Sequence, residues 1–443
     1  MKKSILVMAV GAALAASSVQ AAVEVYGKLH LSLDSTDNGN TYDGNTNSTA
    51  ANAGTSAQSL YVSTNASTLG FKASEDLVGG LKAIGLLEVQ IEADNPVKTV
   101  PFTERDVYGG LGGGFGTVRI GKIDTPTKLL GRKADFFSDQ VGDSRNLTSR
   151  ASNLGLVTNA PQHNTTGYPA YTYNTTQRPN WELRASNALA YTSPTMAGIT
   201  VAVLYNLEEG RKDSSIKDLT ATFAGDLIGG KMVAGLGWSS HGKAWNNDEK
   251  AETLIRAAGS YAMGGFKVGM LYQKASNMNA VSSTPAVAAV PASGAGSGAT
   301  YTTGPYVPAK SAIAAVTASS LDRTTWGLGG SFTIGAGAVK AQYYKAGESK
   351  GGTAAIPDGA TMIAIGYDHN LSKNTRVYVA YAVTKNDQSS TMVNDIPTAG
   401  GTYGASGGGH DNNPNNVIAG QNGATPDRGS DPKALSVGMV FAF

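Results

Sequence analysis

Ser32 follows His30 by two residues in the stretch Val23–Leu33, VEVYGKLHLSL, a spacing that places a nucleophile and a base on one face of an extended strand. Hydrolysis by such a pair needs an acid to orient the imidazole, and the sequence offers no plausible one. His30, His163, His241, His369 and His410 are scattered, no two at ligand spacing, and there is no cysteine, so neither a metal site nor a disulfide framework is expected. The glycine run GLGGGFG, Gly110–Gly116, could cradle a phosphate, but no parallel βαβ unit surrounds it and no helical period follows Phe115. No cofactor is therefore expected. What remains is charge. Arg119 stands in TVRIG on the face opposite Val118 and Ile120, and Arg184 shares strand parity with Ser186. Asp135, Asp139 and Asp143 lie in a long segment after Pro126 that shows no clear strand before Leu183. Cations on one wall of a narrow aqueous passage and carboxylates on the other would set a transverse field that sorts ions.

The elements that could frame such a passage are strands. Val23–Leu33 alternates, with Val23, Val25, Leu29, Leu31 and Leu33 on one face and Glu24, Tyr26, Lys28, His30 and Ser32 on the other, a period of two that no helix keeps. Val107–Leu111 and Phe115–Gly121 form a hairpin whose glycines, Gly112 to Gly114, supply the positive φ of a tight reversal. The same reading gives strands at Ser59–Ser74, Leu81–Glu92, Leu183–Ser193, Ile199–Leu207, Lys217–Asp226, Lys231–Ser239, Thr253–Ala262 and Phe266–Ala275. Further strands follow at Thr324–Ile334, Val339–Lys345, Thr361–Asn370, Thr375–Lys385 and Ala434–Phe443. Short turns such as EDLVGG, SPTMAG, GAGA and LSKN alternate with long polar loops, among them Asp34–Ala57 and the low-complexity stretches Ser276–Ser320 and Asn386–Ser430. About sixteen strands of roughly ten residues, with short turns at one end and long loops at the other, describe an all-β, antiparallel transmembrane barrel. In such a barrel the segment after Pro126 could fold inward and narrow the lumen.

The address agrees. Lys2 and Lys3 precede an apolar run, Ile5–Ala16, and Val19-Gln20-Ala21 fits a small-residue cleavage site, so residues 1–21 read as an export signal and 22–443 as one domain. Beyond the signal no apolar run reaches the length of a membrane helix. Removing Lys2 and Lys3 takes the formal charge from +2 to zero, which gives no reason to expect a nucleic-acid partner and leaves selectivity to local patches.

Four stretches in this order resemble the trimeric general porins of Gram-negative outer membranes: LGFKASEDLVGGLKAIGLLE (Leu69–Glu88), VYGGLGGGFGTVRIGKIDTP (Val107–Pro126), RASNALAYTSPTMAG (Arg184–Gly198) and IGYDHNLSKNTRVYVAY (Ile365–Tyr381). The terminal Phe443 fits as well. The resemblance implies a sixteen-stranded barrel with an inward-folded third loop, assembled as a homotrimer among outer-membrane lipids and lipopolysaccharide, and passive diffusion of small hydrophilic solutes and ions. It also implies a constriction in which arginines face loop acids. Arg105 matches one family arginine and Arg184 another, whereas a third family position holds Thr68. Arg105 shares parity with Val107 and Leu111, so it reaches the lumen only if a bulge re-aims it. The expected constriction is Arg105, Arg119 and Arg184 against Asp135, Asp139 and Asp143. A substrate-specific channel of the same fold, served by Tyr168, Tyr171 and Tyr173, is the alternative.

Overall fold

The computed structural model describes residues 22–37, 58–91, 93, 102–149, 181–207, 212–243, 250–278, 321–351, 354–356, 359–387 and 431–443. The export signal, the two low-complexity stretches beyond their first residues, and Tyr168, Tyr171 and Tyr173 lie outside them. The strands are β1 (Ala22–Asp37), β2 (Gln58–Thr64), β3 (Thr68–Asp76), β4 (Lys82–Ile91), β5 (Phe102–Gly113), β6 (Gly116–Asp124), β7 (Arg184–Thr192), β8 (Ile199–Asn206), β9 (Ile216–Leu227) and β10 (Gly230–His241). The second half adds β11 (Glu252–Met263), β12 (Phe266–Met278), β13 (Leu321–Ile334), β14 (Gly337–Ala346), β15 (Ser349–Gly351), β16 (Ala354–Ile356), β17 (Ala360–Asn370), β18 (Thr375–Asn386) and β19 (Lys433–Ala442).

Every pairing between strands is antiparallel, and β1 pairs with β19, so the sheet closes on itself and leaves no edge. β2 and β3 pair with the two halves of β1 and are one strand broken at residues 65–67, where Ala66 takes a positive φ of 52°. The sequence pattern had them continuous. β15 and β16 form a small hairpin beside β13. Discounting both, the wall has sixteen strands.

The alternation sorts side chains as a membrane wall demands. Along β19, Leu435, Val437, Met439 and Phe441 are exposed while Ala434 and Ser436 are buried. Along β1, Val23, Val25 and Leu33 face out, and His30, Ser32, Asp34 and Thr36 are buried. The seam is sealed at the C-terminus: Gly27 donates to Phe443 (2.9 Å), Phe443 donates back (3.0 Å), and the Phe443 ring occupies the space a side chain at Gly27 would need.

The packed interior lies between the wall and one segment, residues 125–149. Its short helix Pro126–Gly131 runs beside β8 to β11, with Pro at the first turn where its missing N–H costs nothing. Beyond it Ala134, Phe137, Val141 and Leu147 bury completely or nearly so. Leu130, Ala134 and Leu147 pack with Ala258, Leu271, Tyr344 and Met362, whereas Phe137 and Val141 pack with Ala364, Tyr378 and Ala380. The segment comes this close because the wall is small beneath it. Side chains at Gly269 and Gly329 would strike Phe136, and one at Gly366 would strike Phe137.

Candidate pore site

Residues 125–149 are bonded to the polar faces of strands around most of the barrel. Asp218 of β9 accepts from the Thr127 amide (2.9 Å). Arg256 of β11 donates to the Thr127 carbonyl (2.9 Å), and Gln273 of β12 donates to the Thr148 carbonyl (2.8 Å). Gln342 of β14 accepts from the Phe136 amide (3.1 Å), and Lys340 of β14 donates to Gln140 (2.8 Å). On the far side Lys28 of β1 pairs with Asp139 (3.0 Å). Arg256, fully buried, also pairs with Glu182 (2.6 Å), which ties the chain entering β7 to the same cluster.

The arginines of the wall are placed by irregularities. Register shifts between Leu87 and Val89, so Arg105 and Asp106 together oppose Glu88. That bulge turns Arg105 off the parity of Leu111 and buries it, with its Nε on Glu88 (2.5 Å) and Nη1 on Gln90 (3.1 Å). A second shift, between Gly121 and Ile123, interrupts β7, so Ser186 is exposed although Arg184 is buried; the shared parity of those two residues does not extend across it. Arg184 pairs with Asp106 (2.6 Å) and Asp124 (3.1 Å), both on the wall. Arg119 sits elsewhere. It pairs with Gly110 near the turn that closes β5 and β6, donates to Thr192 (3.2 Å) and lies over the Tyr108 ring (5.3 Å to the centroid).

The loop acids are likewise engaged. Asp135 accepts from the Phe137 amide (2.9 Å) and from the Ser144 amide and hydroxyl (3.2 and 3.0 Å), so it staples the loop to itself. Burial, with Asp143 beside it, pushes its carboxyl up to about 7. Asp143 is fully buried and accepts from the Arg145 amide and Nε, both at 2.8 Å. Asp139, held at a positive φ of 60°, takes Arg145 on one oxygen (2.7 Å) and Lys28 on the other. Burial opposes its ionisation, yet Lys28, Arg145 and Arg132 hold it well below the usual carboxylate range.

The geometry therefore gathers Arg105, Arg184 and the loop acids around one region, sets Arg119 apart, and links Arg105 and Arg184 to acids on their own wall. Lys28, Glu88, Asp106, Asp124, Lys128, Arg132 and Arg145 belong to the same network and were not singled out by pattern. Lys28 and Glu88 could have been found from alternation, since they share strand faces with His30 and Gln90. Asp106 and Asp124 depend on the bulges, which no local pattern announces. His30 and Ser32, although adjacent on one face, do not pair: His30 Nε2 meets the Tyr378 hydroxyl (2.9 Å), while Ser32 donates to Asp34 (2.7 Å) and accepts from Asn65 (2.7 Å).

A closed sixteen-stranded barrel with an apolar exterior, and a charged interior crossed by a loop, defines an outer-membrane channel. The chain matches the Gram-negative porin family over residues 5–389 and belongs to it. It is 26% identical over 401 residues to outer membrane porin protein 32 of Delftia acidovorans, covering 88% of this chain and 92% of that one. Its fold is similar to that of an anion-selective porin from Comamonas acidovorans, with TM-score 0.61, 21% identity, and coverage of 96% and 100% of the two chains. It is also similar to OmpF of Salmonella typhi, with TM-score 0.54, 14% identity and coverage of 95% and 97%. The protein is an outer-membrane porin, a water-filled channel for passive diffusion of small hydrophilic solutes.

Proposed function

We propose that residues 125–149 form the constriction of this pore and that it favours small anions weakly over cations. The reading rests on one observation: this segment bonds to strands on opposite sides of the barrel, from Asp218 of β9 to Lys28 of β1. Solutes then pass between the loop and the wall that carries Arg105 and Arg184. Because these arginines are paired with Glu88, Asp106 and Asp124, their field is largely cancelled, and only a modest preference is left. The Comamonas relative is named an anion-selective porin, in keeping with that sign.

The working unit in this reading is a homotrimer of chains 22–443, freed of the export signal 1–21 and embedded among lipids and lipopolysaccharide. One structure of Vibrio cholerae OmpT, similar in fold, is described as a trimer form. Gly27, one of the glycines that could ease contact between copies, already accommodates Phe443 of its own chain, and Gly79 and Gly80 serve a turn at positive φ. Close approach in a trimer would fall to Gly85 and its neighbours. Planar-bilayer recording across a salt gradient tests the reading. Stepwise conductance with a zero-current potential of anionic sign supports it, whereas an absence of conductance overturns it.

A further inference from the structure

Arg119 stands apart from the network around the loop, and its surroundings differ from those of Arg105 and Arg184. Among the described residues no carboxylate pairs with it. Its side chain donates to Thr192 (3.2 Å), its guanidinium rests over the Tyr108 ring, and its Nε, shielded from solvent, has no hydrogen-bond partner. Beside it the lumen face turns apolar. On β4, Ile84 and Leu86 share the face of Glu88 and Gln90, which bond to Arg105 inside the barrel, whereas Leu87 is exposed on the lipid side. Both Ile84 and Leu86 are only partly buried. Leu86 is flanked by Tyr108 on one side and Lys72 on the other, and Ile84 is opposite Gly110, which in turn is opposite Arg119. A side chain at Gly110 would strike Arg119, so the backbone stays bare between the isoleucine and the arginine. A cavity of about 360 Å³ opens here, bounded by Glu24, Lys72, Ser74, Ile84 and Tyr108, a size within the range of small-molecule sites. At its far end Lys72 lies over the Tyr26 ring (4.1 Å to the centroid) and pairs with Glu24 (3.5 Å), so the charge left without an acid is that of Arg119.

We infer that this patch is a binding subsite for small carboxylates that carry a flat apolar ring, with the carboxylate on Arg119 and the ring across Gly110 against Ile84, Leu86 and Tyr108. The interior of a water-filled barrel is ordinarily polar, so two aliphatic side chains and a tyrosine beside an arginine without an acid make a surface that is apolar at one end and cationic at the other. A ring laid on it removes Ile84 and Leu86 from water. It also gains an aromatic neighbour in Tyr108. The planar guanidinium offers a carboxylate paired donors, which a point charge does not. Acetate meets the same cation but gains none of the apolar contact. The subsite therefore sorts anions by their hydrophobic body. It lies on the β4–β6 wall, near the short turn that closes β5 and β6, and does not depend on where the pore is narrowest.

Single-channel recording of the whole protein in potassium chloride tests this, with benzoate or acetate added to both sides at matched ionic strength. Benzoate should reduce the chloride current with half its effect at about 1–10 mM, the affinity of a ligand this small, and acetate should not reduce it at those concentrations. Each variant is compared with its own current before the addition. Arg119→Gln should raise the half-effect concentration about tenfold, and Leu86→Ser about threefold. Arg376→Gln removes an arginine beside another short turn, that of β17 and β18, and should leave the benzoate effect as it was. Equal effects of benzoate and acetate on the unaltered channel overturn the inference whatever the variants do. So does a benzoate effect that survives both Arg119→Gln and Leu86→Ser, or one that Arg376→Gln weakens as much as Arg119→Gln does. In each of these outcomes the pore conducts, so the constriction reading stands or falls separately.

Discussion

The seam between β1 and β19 and the loop of residues 125–149 are both joints between distant parts of the chain, but they are made of different bonds. At the seam Gly27 and Phe443 exchange backbone hydrogen bonds, and ten residue pairs from Lys28–Ala442 to Asp37–Lys433 continue the ladder. Any residue supplies a backbone donor and acceptor except proline, so the ladder tolerates substitution. The loop is anchored by Asp139, Asp143, Arg145, Arg256, Gln273 and Gln342, each a particular side chain meeting a particular partner. Removing one partner leaves the other buried and uncompensated. The seam should thus fail as a whole or not at all, and the loop should fail piece by piece inside an intact barrel.

Deleting Phe443 tests the seam and has the largest expected effect. It removes the last exchanged pair and uncovers Gly27 at the closing edge. Assembled protein in outer membranes should fall by an order of magnitude or roughly so, read as loss of the oligomer band on unboiled denaturing gels. Unchanged levels would show that the remaining ladder closes the barrel alone.

Arg145→Ala tests the loop. It strands the buried Asp143 and leaves Asp139 with Lys28 alone, at a cost of about 3–5 kcal/mol to the anchored state. The barrel should still form and run as an oligomer, while single-channel conductance rises and becomes noisy as the loop leaves its site. Loss of the barrel itself would erase the distinction between the two joints.

Charge reversal on the wall comes next. Arg184→Glu would put a third carboxylate beside Asp106 and Asp124, so the zero-current potential should move towards cations, and the shift should shrink as salt rises. Arg184→Gln, milder for folding, should move it the same way by less. Asp139→Asn should move it towards anions, because it releases Lys28 from its partner. An unchanged potential at low salt for both Arg184 variants would place that arginine outside the constriction.

The smallest effect concerns pH. Asp135 is surrounded by Asp143 and Arg145 of its own loop and by Tyr344 and Lys340 of β14, and burial raises its carboxyl from an ordinary 3.8 to about 7. A raised acid pKa means that folding favours the protonated form, so its contribution to loop anchoring is present at low pH and is lost as pH rises through about 7. Between pH 8 and 6 this carboxylate gains a proton, and anion preference should increase slightly. Asp135→Asn should abolish that change, and a shift that survives in the variant would belong to another group.

Alternation alone made the wall legible. The strand segments, the short turns and the outward row Leu435, Val437, Met439 and Phe441 follow from a period of two and from the requirement that lipid meet apolar atoms. Lumen and lipid act on every strand in the same way, so the signal repeats. The charged site was legible only in part. Arg105 shows why: its parity points to lipid, and only the two-against-one opposition at Glu88 brings it inside. Arg184 was singled out through a parity with Ser186 that the β6–β7 irregularity cuts.

The sequence by itself determined that the chain builds an all-β wall with one apolar face, because each strand carries its own periodic solution to the same solvent problem. Only the tertiary structure decided which carboxylate meets which arginine. Asp139 reaches Lys28 across 111 positions of sequence, and Phe136 finds room over Gly269 of β12 and Gly329 of β13 only after those two strands have paired and the loop has folded against them. Ion pairing depends on a few ångströms between residues far apart in the chain, and that distance is a property of barrel closure and loop path, which no local pattern encodes.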